Sequence, residues 1–214
     1  MTARAQPAYR FWGHFPLLYR IACTVTFLGR QRFLRRRAVE RLALRPGDTV
    51  LDLACGTGLN LEHLEAVVGT RGRIIAFDFS TAMLTAARDR ARVHGWQNIT
   101  FVEGDAAALD IGQQVDGVLS TLGVSAIAGY ERAIARACAT VRPGRRVVIL
   151  DAALPTGWWR FTNPSIRWVY RVGAAWVPGR PIAAIMSQHL QDVRTERYNG
   201  GTIEITVGTR GTYR

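Results

Sequence analysis

The middle of the chain alternates short apolar runs with longer segments whose apolar residues recur at helical spacing. The short runs are rich in β-formers and predict strands at Thr49–Leu53, Arg73–Phe77, Ile99–Glu103, Val115–Ser120 and Arg146–Asp151. The helical spacing predicts helices at Asn60–Val68, Ser80–His94 and Glu131–Val141. Strands separated by such helices form βαβ units, so we expect an α/β fold built on a doubly wound, mostly parallel sheet.

The last part of the chain has a different pattern. Val193–Tyr198 and Thr202–Val207 are strand-like runs, and Asn199-Gly200-Gly201 between them is a turn signal typical of a β-hairpin. Further upstream, Arg142-Pro143-Gly144 predicts a turn that precedes the fifth strand. The hairpin brings the expected sheet to seven strands and ends it in an antiparallel pair.

The composition is that of a folded protein of modest size. The chain has 214 residues, enough for one domain or for one domain with an appendage. Hydrophobic residues make up 48% and charged residues 21%, which excludes a disordered, collagen-like or coiled-coil chain. No uncharged apolar run approaches the roughly 18 residues of a membrane-spanning helix. The three cysteines, Cys23, Cys55 and Cys138, lie at no metal-ligand spacing, so we expect no metal site and a cytoplasmic location.

Positive charge is concentrated at the two ends of the chain. All 28 basic residues are arginines, and the net charge is +12. Residues 1–45 hold ten arginines and one acidic residue, residues 46–150 are close to neutral, and residues 151–214 hold eight arginines and four acidic residues. A neutral body with basic ends suggests that the ends meet an anionic partner, either a lipid surface or a nucleic acid.

Two segments lie outside the strand-helix pattern. Residues 1–45 interleave seven aromatic residues with the arginines and are expected to form a basic helical segment, separate from a main domain over 46–214. Residues 154–190 form an insertion that holds four of the six tryptophans. Aromatic and arginine side chains together suit the headgroup boundary of a membrane, where both segments would dock. The alternative is that both segments only cover the sheet and act as a lid over the active site.

The strongest local signal is a strand that runs into a glycine-bearing turn at Asp52–Gly58. Such glycines let the backbone approach a ligand closely, and the helix that follows opens toward it. Asp78 ends the next strand, where a carboxylate can accept hydrogen bonds from both hydroxyls of a ribose. A dinucleotide is disfavoured, because Leu61 stands where the third glycine would be and Asp52 would repel a diphosphate. An ammonium group suits Asp52 instead.

These segments resemble the class I S-adenosylmethionine-dependent methyltransferases. The resemblance rests on Asp52–Gly58, Ile75–Ser80, Gly104–Ala106 and Val141–Gly144, in the right order and spacing across residues 40–151. It implies a Rossmann-like fold, S-adenosylmethionine as cofactor, S-adenosylhomocysteine as product, and no metal. It also argues against a binding module without catalysis, since the strand-end carboxylates are intact.

The resemblance also implies roles for individual residues. Asp52 would face the amino end of the methionyl group, Asp78 the ribose hydroxyls and Asp105 the adenine amino group. The remaining cofactor-binding positions form the turn, pack against adenine or line the reacting methyl: Ala54, Gly56, Thr57, Gly58, Phe79, Met83, Ala106, Ser120 and Thr121. Neutralising Arg35, Arg36 and Arg37 is expected to weaken surface binding and to leave cofactor affinity nearly intact.

The methyl acceptor is less sharply defined. A nucleic acid is disfavoured, because Ser120–Gly123 is not the polar-Pro-Pro-aromatic turn that grips an exocyclic amine. The first choice is the amine of a lipid headgroup at the inner membrane face. The chain resembles the small bacterial phosphatidylethanolamine N-methyltransferases in size, core motifs and basic, aromatic N-terminal helix, and Tyr19 and Phe27–Arg30 resemble the N-terminus of the betaine-lipid N-methyltransferases. The alternatives are a quinone, because Tyr198–Gly208 resembles the ubiquinone and menaquinone methyltransferases, and a soluble amine. The general base is unassigned, with Tyr9, His14 and Tyr19 as candidates, and the oligomeric state stays open.

Overall fold

The computed structural model describes residues 29–173 and 177–212 and places seven strands in one sheet. The order across the sheet is β3-β2-β1-β4-β5-β7-β6. The first five strands are parallel, and β7 lies antiparallel between β5 and β6. The strands are β1 Thr49–Leu53, β2 Arg73–Asp78, β3 Ile99–Glu103, β4 Val115–Thr121, β5 Val141–Ala152, β6 Gln191–Tyr198 and β7 Ile203–Thr209. The predicted doubly wound sheet with a C-terminal antiparallel hairpin is confirmed.

Helices cover both faces of this sheet. Among the described residues they are α1 Gln31–Leu42, α2 Leu61–Val68, α3 Thr81–His94, α4 Tyr130–Thr140, α5 Asn163–Gly173 and α6 Ile182–Met186. Shorter 3₁₀ turns occur at Ala106–Ala108, Val124–Ala126, Gly157–Thr162 and Asn199–Gly201. The predicted limits of α3 have clear causes: the Ser80 side chain accepts from the Met83 N–H, and Gly95 ends the helix at φ 72°.

Two hydrophobic cores lie on opposite faces of the sheet, because alternate residues of each strand point to opposite sides. One core packs α1, α2 and α3 against the sheet through residues such as Leu34, Leu64 and Leu84. The other packs α4 and α6 through residues such as Ile134 and Met186. In the part of the chain that the structure describes, no helix is both long and apolar enough to cross a bilayer.

Strand β5 is longer than the sequence predicts. It begins at Val141, which pairs with Val115 before the register shifts, and continues in pairing with β4 from Arg146. The turn predicted at Arg142–Gly144 is therefore wrong as a separate turn, and Gly144 takes up the irregularity at φ 76° inside the strand.

Helix α1 is part of the folded core, although it lies within the segment 1–45. Leu34, Ala38 and Leu42 are 2% exposed or less, and the helix packs against β4, β5, β7 and α2. Its outward side carries arginines that pair with Glu40, Glu62 and Glu196. The domain boundary at residue 45 stays a prediction, but the structure packs the helix that precedes it directly on the sheet.

Candidate functional site

A cavity of about 260 Å³ opens at the carboxyl ends of β1, β2 and β4. This is the point where the strand order reverses, with β1 between β2 and β4, and ligands of open α/β sheets bind at such a point. Eight of the twelve predicted cofactor positions line the cavity: Ala54, Gly56, Thr57, Asp78, Phe79, Asp105, Ala106 and Thr121. The sequence prediction therefore converges on one cavity.

The turn after β1 owes its shape to left-handed backbone conformations. Ala54, Gly56 and Gly58 have φ values of 57°, 55° and 74°. A Cβ at Gly58 would lie 2.7 Å from Leu61 Cδ1 and 3.1 Å from Ala87 Cβ, so a larger residue would be strained by the positive φ and would displace the Leu61 side chain. The turn thereby brings backbone to the cavity wall without side chains in the way.

Asp78 is anchored by the backbone on both sides of the cavity. Its Oδ2 accepts from the Gly56 N–H at 2.8 Å, and its Oδ1 accepts from the Ser80 N–H at 3.0 Å. The residue is only 3% exposed, yet it lines the cavity. The Phe79 N–H also acts on this carboxylate. An ionised carboxylate has about four acceptor sites, so Asp78 keeps acceptor capacity for a ribose hydroxyl.

Asp52 lies behind the cavity wall, in a buried chain of polar side chains. Its Oδ1 accepts from Asn60 Nδ2 at 2.7 Å, and Asn60 Oδ1 in turn accepts from Arg35 Nη1 at 2.7 Å. Arg35 also donates to Thr121 Oγ1. Arg35 and Thr121 line the cavity, whereas Asp52 and Asn60 are fully buried. These hydrogen bonds thus connect the Asp52 carboxyl group to the Arg35 guanidinium at the cavity wall.

Within this network of Asp52, Asn60, Arg35 and Thr121, two atoms are buried without a hydrogen-bond partner among the described residues. They are Asp52 Oδ2 and Arg35 Nε. A buried polar atom without a partner costs about 1–3 kcal/mol, so such atoms mark places where a bound group completes the hydrogen bonding. An unpartnered acceptor and an unpartnered donor on residues joined through Asn60 fit the ammonium and carboxylate of a methionyl group, and the residues present therefore suit the expected cofactor.

Burial governs the electrostatics of the site. It raises the pKa of Asp52 to about 7, opposed by the hydrogen bond from Asn60 and by the charge of Arg35. It raises the pKa of Asp78 to about 6, opposed by the backbone N–H groups that bind the carboxylate. Ionisation of either carboxyl group therefore destabilises the folded protein, and a ligand cation or hydroxyl pair would lower that cost.

Arg35 is a cavity residue that the sequence analysis did not predict. The charge pattern predicts that Arg35 acts with Arg36 and Arg37 as one docking cluster at the surface. Arg35 is only 5% exposed and faces the cavity, so this expectation is wrong. A signal was present in the spacing, because Gln31, Arg35, Ala38 and Leu42 fall on one buried helix face.

The remaining predicted residues divide into two groups. Asp105 is exposed at the cavity edge, where its Oδ1 accepts from the Ala107 N–H at 3.0 Å. Gly58, Met83 and Ser120 do not line the cavity, and Met83 is fully buried in the protein interior. The cofactor roles of all twelve residues stay predictions. Tyr9, His14 and Tyr19, the candidate bases, lie outside the described residues.

The cavity also has an apolar wall that the motifs did not indicate. It is formed by Leu59, Phe77, Leu122, Ala126 and Ile127. Cys55 lines the cavity too, but burial raises the pKa of its thiol well above the ordinary value, so it stays neutral and acts as a small filler. Within residues 29–173 and 177–212, no cluster of His, Cys, Asp or Glu could hold a metal ion.

Comparison with known proteins places this fold and cavity in a family. The model of the ubiE/COQ5 methyltransferase family matches residues 18–173. The demethylmenaquinone methyltransferase of Shouchella clausii is 29% identical over 139 residues, which cover 64% of this chain and 59% of that enzyme. The 2-phytyl-1,4-naphthoquinone methyltransferase of Synechococcus elongatus is 36% identical over 134 residues, covering 59% of this chain and 55% of that enzyme. The match thus spans little more than half the length of these relatives.

A solved structure shares the architecture. Phosphoethanolamine N-methyltransferase 2 of Haemonchus contortus, in complex with phosphomonomethylethanolamine and S-adenosylhomocysteine, has a TM-score of 0.71 at 14% identity. The superposition covers 84% of this chain and 52% of that chain, and at this identity it shows the fold alone. The class predicted from the four sequence motifs is confirmed by the family match, which extends over most of the chain. The chain belongs to the ubiE/COQ5 methyltransferase family.

Proposed function

We propose that the chain is an S-adenosylmethionine-dependent methyltransferase whose acceptor is a lipid-borne molecule, with a demethylated quinone as the first candidate. The observation that carries the proposal is the cavity at the switch point of the sheet, which Asp78 and Arg35 line and to which the buried Asp52 is connected through Asn60. Family membership supports the methyl-transfer chemistry.

The cavity residues would hold the cofactor through its charged and hydroxyl groups. Arg35 would bind the methionyl carboxylate, and Asp52, directly or through water, the ammonium group. Asp78 would accept from the ribose while it stays bound to the backbone N–H groups of Gly56 and Ser80. The bound cofactor supplies an electrophilic methyl group, so the protein mainly has to align the acceptor and exclude water.

The names of the curated relatives favour a quinone acceptor. They name demethylmenaquinone and 2-phytyl-1,4-naphthoquinone, which moves the quinone ahead of the lipid headgroup amine that the sequence motifs place first. The apolar cavity wall of Leu59, Leu122 and Ile127 supports an aromatic or apolar acceptor.

A headgroup amine stays as the second candidate because of one feature of the cavity. Methylation of a ring carbon needs a base that ionises the acceptor, and the described cavity residues offer only Asp78 and Asp105 as carboxylates and no histidine. Asp78 is committed to backbone N–H groups. An amine that reaches the site uncharged needs no such base, and this keeps the headgroup amine as the second candidate.

One assay separates the two acceptors. The protein is incubated with methyl-labelled S-adenosylmethionine and mixed micelles containing either demethylmenaquinone, reduced by dithionite to the quinol whose ring carbon can attack the methyl group, or phosphatidylethanolamine, and label is counted in the organic extract. Label in the quinone supports the first candidate, and label in phosphatidylethanolamine alone supports the second. Label that appears only in water-soluble compounds overturns a lipid acceptor. The Asp78→Asn variant, which we expect to lose cofactor binding, is the negative control.

A further inference from the structure

Aromatic side chains are exposed together on the segment that follows β5. Trp158, Trp159, Phe161 and Trp168, which we call the aromatic surface, are 73%, 48%, 67% and 65% exposed. Among the described residues, seven large hydrophobic side chains are exposed, and five of them lie between Trp158 and Val177. A folded protein rarely leaves such a group in water unless it contacts another surface.

Three of these rings form one cluster. The ring centroids of Trp158 and Trp159 lie 4.3 Å apart, and the Phe161 ring lies 5.9 Å and 6.1 Å from them. The start of the 3₁₀ turn that holds them is tied to β6, because Arg197 Nη1 donates to Thr156 Oγ1 at 2.8 Å. The two ends of the turn are joined to each other, because Asn163 Nδ2 donates to the Pro155 carbonyl at 3.3 Å. The rings are therefore presented by an anchored turn.

The charge around the aromatic surface is positive. Residues 152–191 contain four arginines and no acidic residue. Arg160 and Arg167 are exposed between the aromatic side chains, whereas the preceding carboxylate, Asp151, is fully buried and accepts from the Ser125 and Ala152 N–H groups. Exposed indole rings interleaved with guanidinium groups match a bilayer surface, with rings at the headgroup boundary and cations on phosphate.

The same segment returns to the edge of the cavity. The Val177 N–H donates to the Ser125 carbonyl at 3.0 Å, and Ser125 precedes Ala126 of the apolar cavity wall. The Gly179 N–H donates to the Ala152 carbonyl at the end of β5, also at 3.0 Å. An external surface in contact with this segment would therefore lie near the carboxyl ends of the strands, where the cavity opens.

We propose that the aromatic surface, with Arg160 and Arg167, docks the protein on an anionic lipid bilayer. The positive charge favours this partner over a second copy of the chain, because two copies facing each other would bring their arginines together without acids to pair them. Docking itself does not depend on methyl transfer. The purpose that we assign to docking, which is to bring a lipid acceptor to the cavity edge, rests on the proposed function.

The test is sedimentation of the full chain with vesicles of phosphatidylcholine and phosphatidylglycerol in a two-to-one ratio. The triple variant Trp158→Ser, Trp159→Ser and Phe161→Ser should bind at least tenfold more weakly than the wild type. Its matched control is Val93→Ser, which removes an exposed apolar side chain from α3 and should leave vesicle affinity unchanged.

A second pair of variants tests the charges. Arg160→Gln with Arg167→Gln should lose roughly fivefold in affinity for each charge. The double variant Arg132→Gln and Arg136→Gln, which removes two exposed arginines of α4, should lose much less. Unchanged circular dichroism and cofactor affinity in every variant separate loss of docking from loss of folding.

Several results would overturn the proposal. They are a wild type that stays in the supernatant with anionic vesicles, a triple variant that sediments like the wild type, or a wild-type dimer that the triple variant converts to monomers. Methyl transfer in detergent micelles reports on the proposed function separately. A protein that binds vesicles but transfers no methyl keeps the docking proposal and overturns the proposed function.

Discussion

Replacement of Asp52 by asparagine should stabilise the cofactor-free protein at alkaline pH. The carboxyl group is fully buried, and burial raises its pKa from 3.8 to about 7. The folded state favours the protonated form of such a group. The free energy of unfolding therefore falls as the pH rises from the pKa of the carboxyl group in the unfolded chain to its pKa in the folded protein. In the Asp52→Asn variant, the new side chain would keep an oxygen that accepts from Asn60 and would never ionise.

The size of the effect follows from the two pKa values. Each unit of difference is about 1.4 kcal/mol, so the Asp52 carboxyl group destabilises the fold by about 4 kcal/mol at pH 8 and by about 2 kcal/mol at pH 5. For a chain of this size, the gain at pH 8 raises Tm by roughly 8–16 °C, and the gain at pH 5 by about half as much. Thermal unfolding at the two pH values, followed by circular dichroism, measures both gains.

Cofactor affinity should change in the opposite direction. The Asp52→Asn variant loses the acceptor charge for the ammonium group, so calorimetry should show weaker S-adenosylmethionine binding. The control is Asp89→Asn, which removes a carboxylate that is 61% exposed and should change stability by less than about 0.5 kcal/mol at either pH. The reasoning fails if Asp52→Asn is less stable than the wild type at pH 8, or if its gain is the same at pH 5.

Three further variants test the cavity and its turn. Asp78→Asn should lower cofactor affinity at least tenfold in calorimetry, because one oxygen that accepts from the ribose becomes an amide donor. Arg35→Gln should lower cofactor affinity roughly 10- to 100-fold. The control is Arg37→Gln, on the outward side of α1, which should leave cofactor affinity within about twofold. Equal losses in the two variants would contradict a cavity role for Arg35. Gly58→Ala should cost about 1–3 kcal/mol in urea unfolding, since its φ is 74° and the new Cβ would meet Leu61; an unchanged midpoint would contradict this packing.

The fold followed from the sequence because its local signals agree with one another. Strand and helix patterns, the Ser80 cap, the Gly95 stop and the hairpin turn each predict an element that the structure contains. The early start of β5 could not be predicted, because its first residues contact groups that are distant in the sequence. Arg142 and Arg145 both bind Asp116, at 2.6 Å and 3.2 Å. Pro143 and Gly144 indicate a turn when only the local sequence is considered, because the local sequence does not show that the neighbouring arginines contact Asp116.

The parts of the site that backbone motifs define could be predicted from the sequence. The parts that depend on the direction of a side chain were harder to predict. The turn after β1 and the strand-end Asp78 follow from spacing. Met83 lies in the first turn of α3, where the helix register decides whether a side chain faces the cavity or the protein interior, and here it faces the interior. Arg35 was missed because one arginine among several neighbouring arginines is expected to be solvent-exposed until the helix is placed on the sheet.

The position of Arg35 has a practical consequence for dissecting the N-terminal segment. A deletion ending at residue 45 would strip away α1, exposing the side of the sheet that Leu34 and Leu42 cover. It would also take with it the guanidinium that reaches Asn60 and Thr121. Inactivity of that truncated protein would therefore say nothing about membranes. A shortened version that starts near residue 29 keeps the helix and isolates the contribution of the preceding residues.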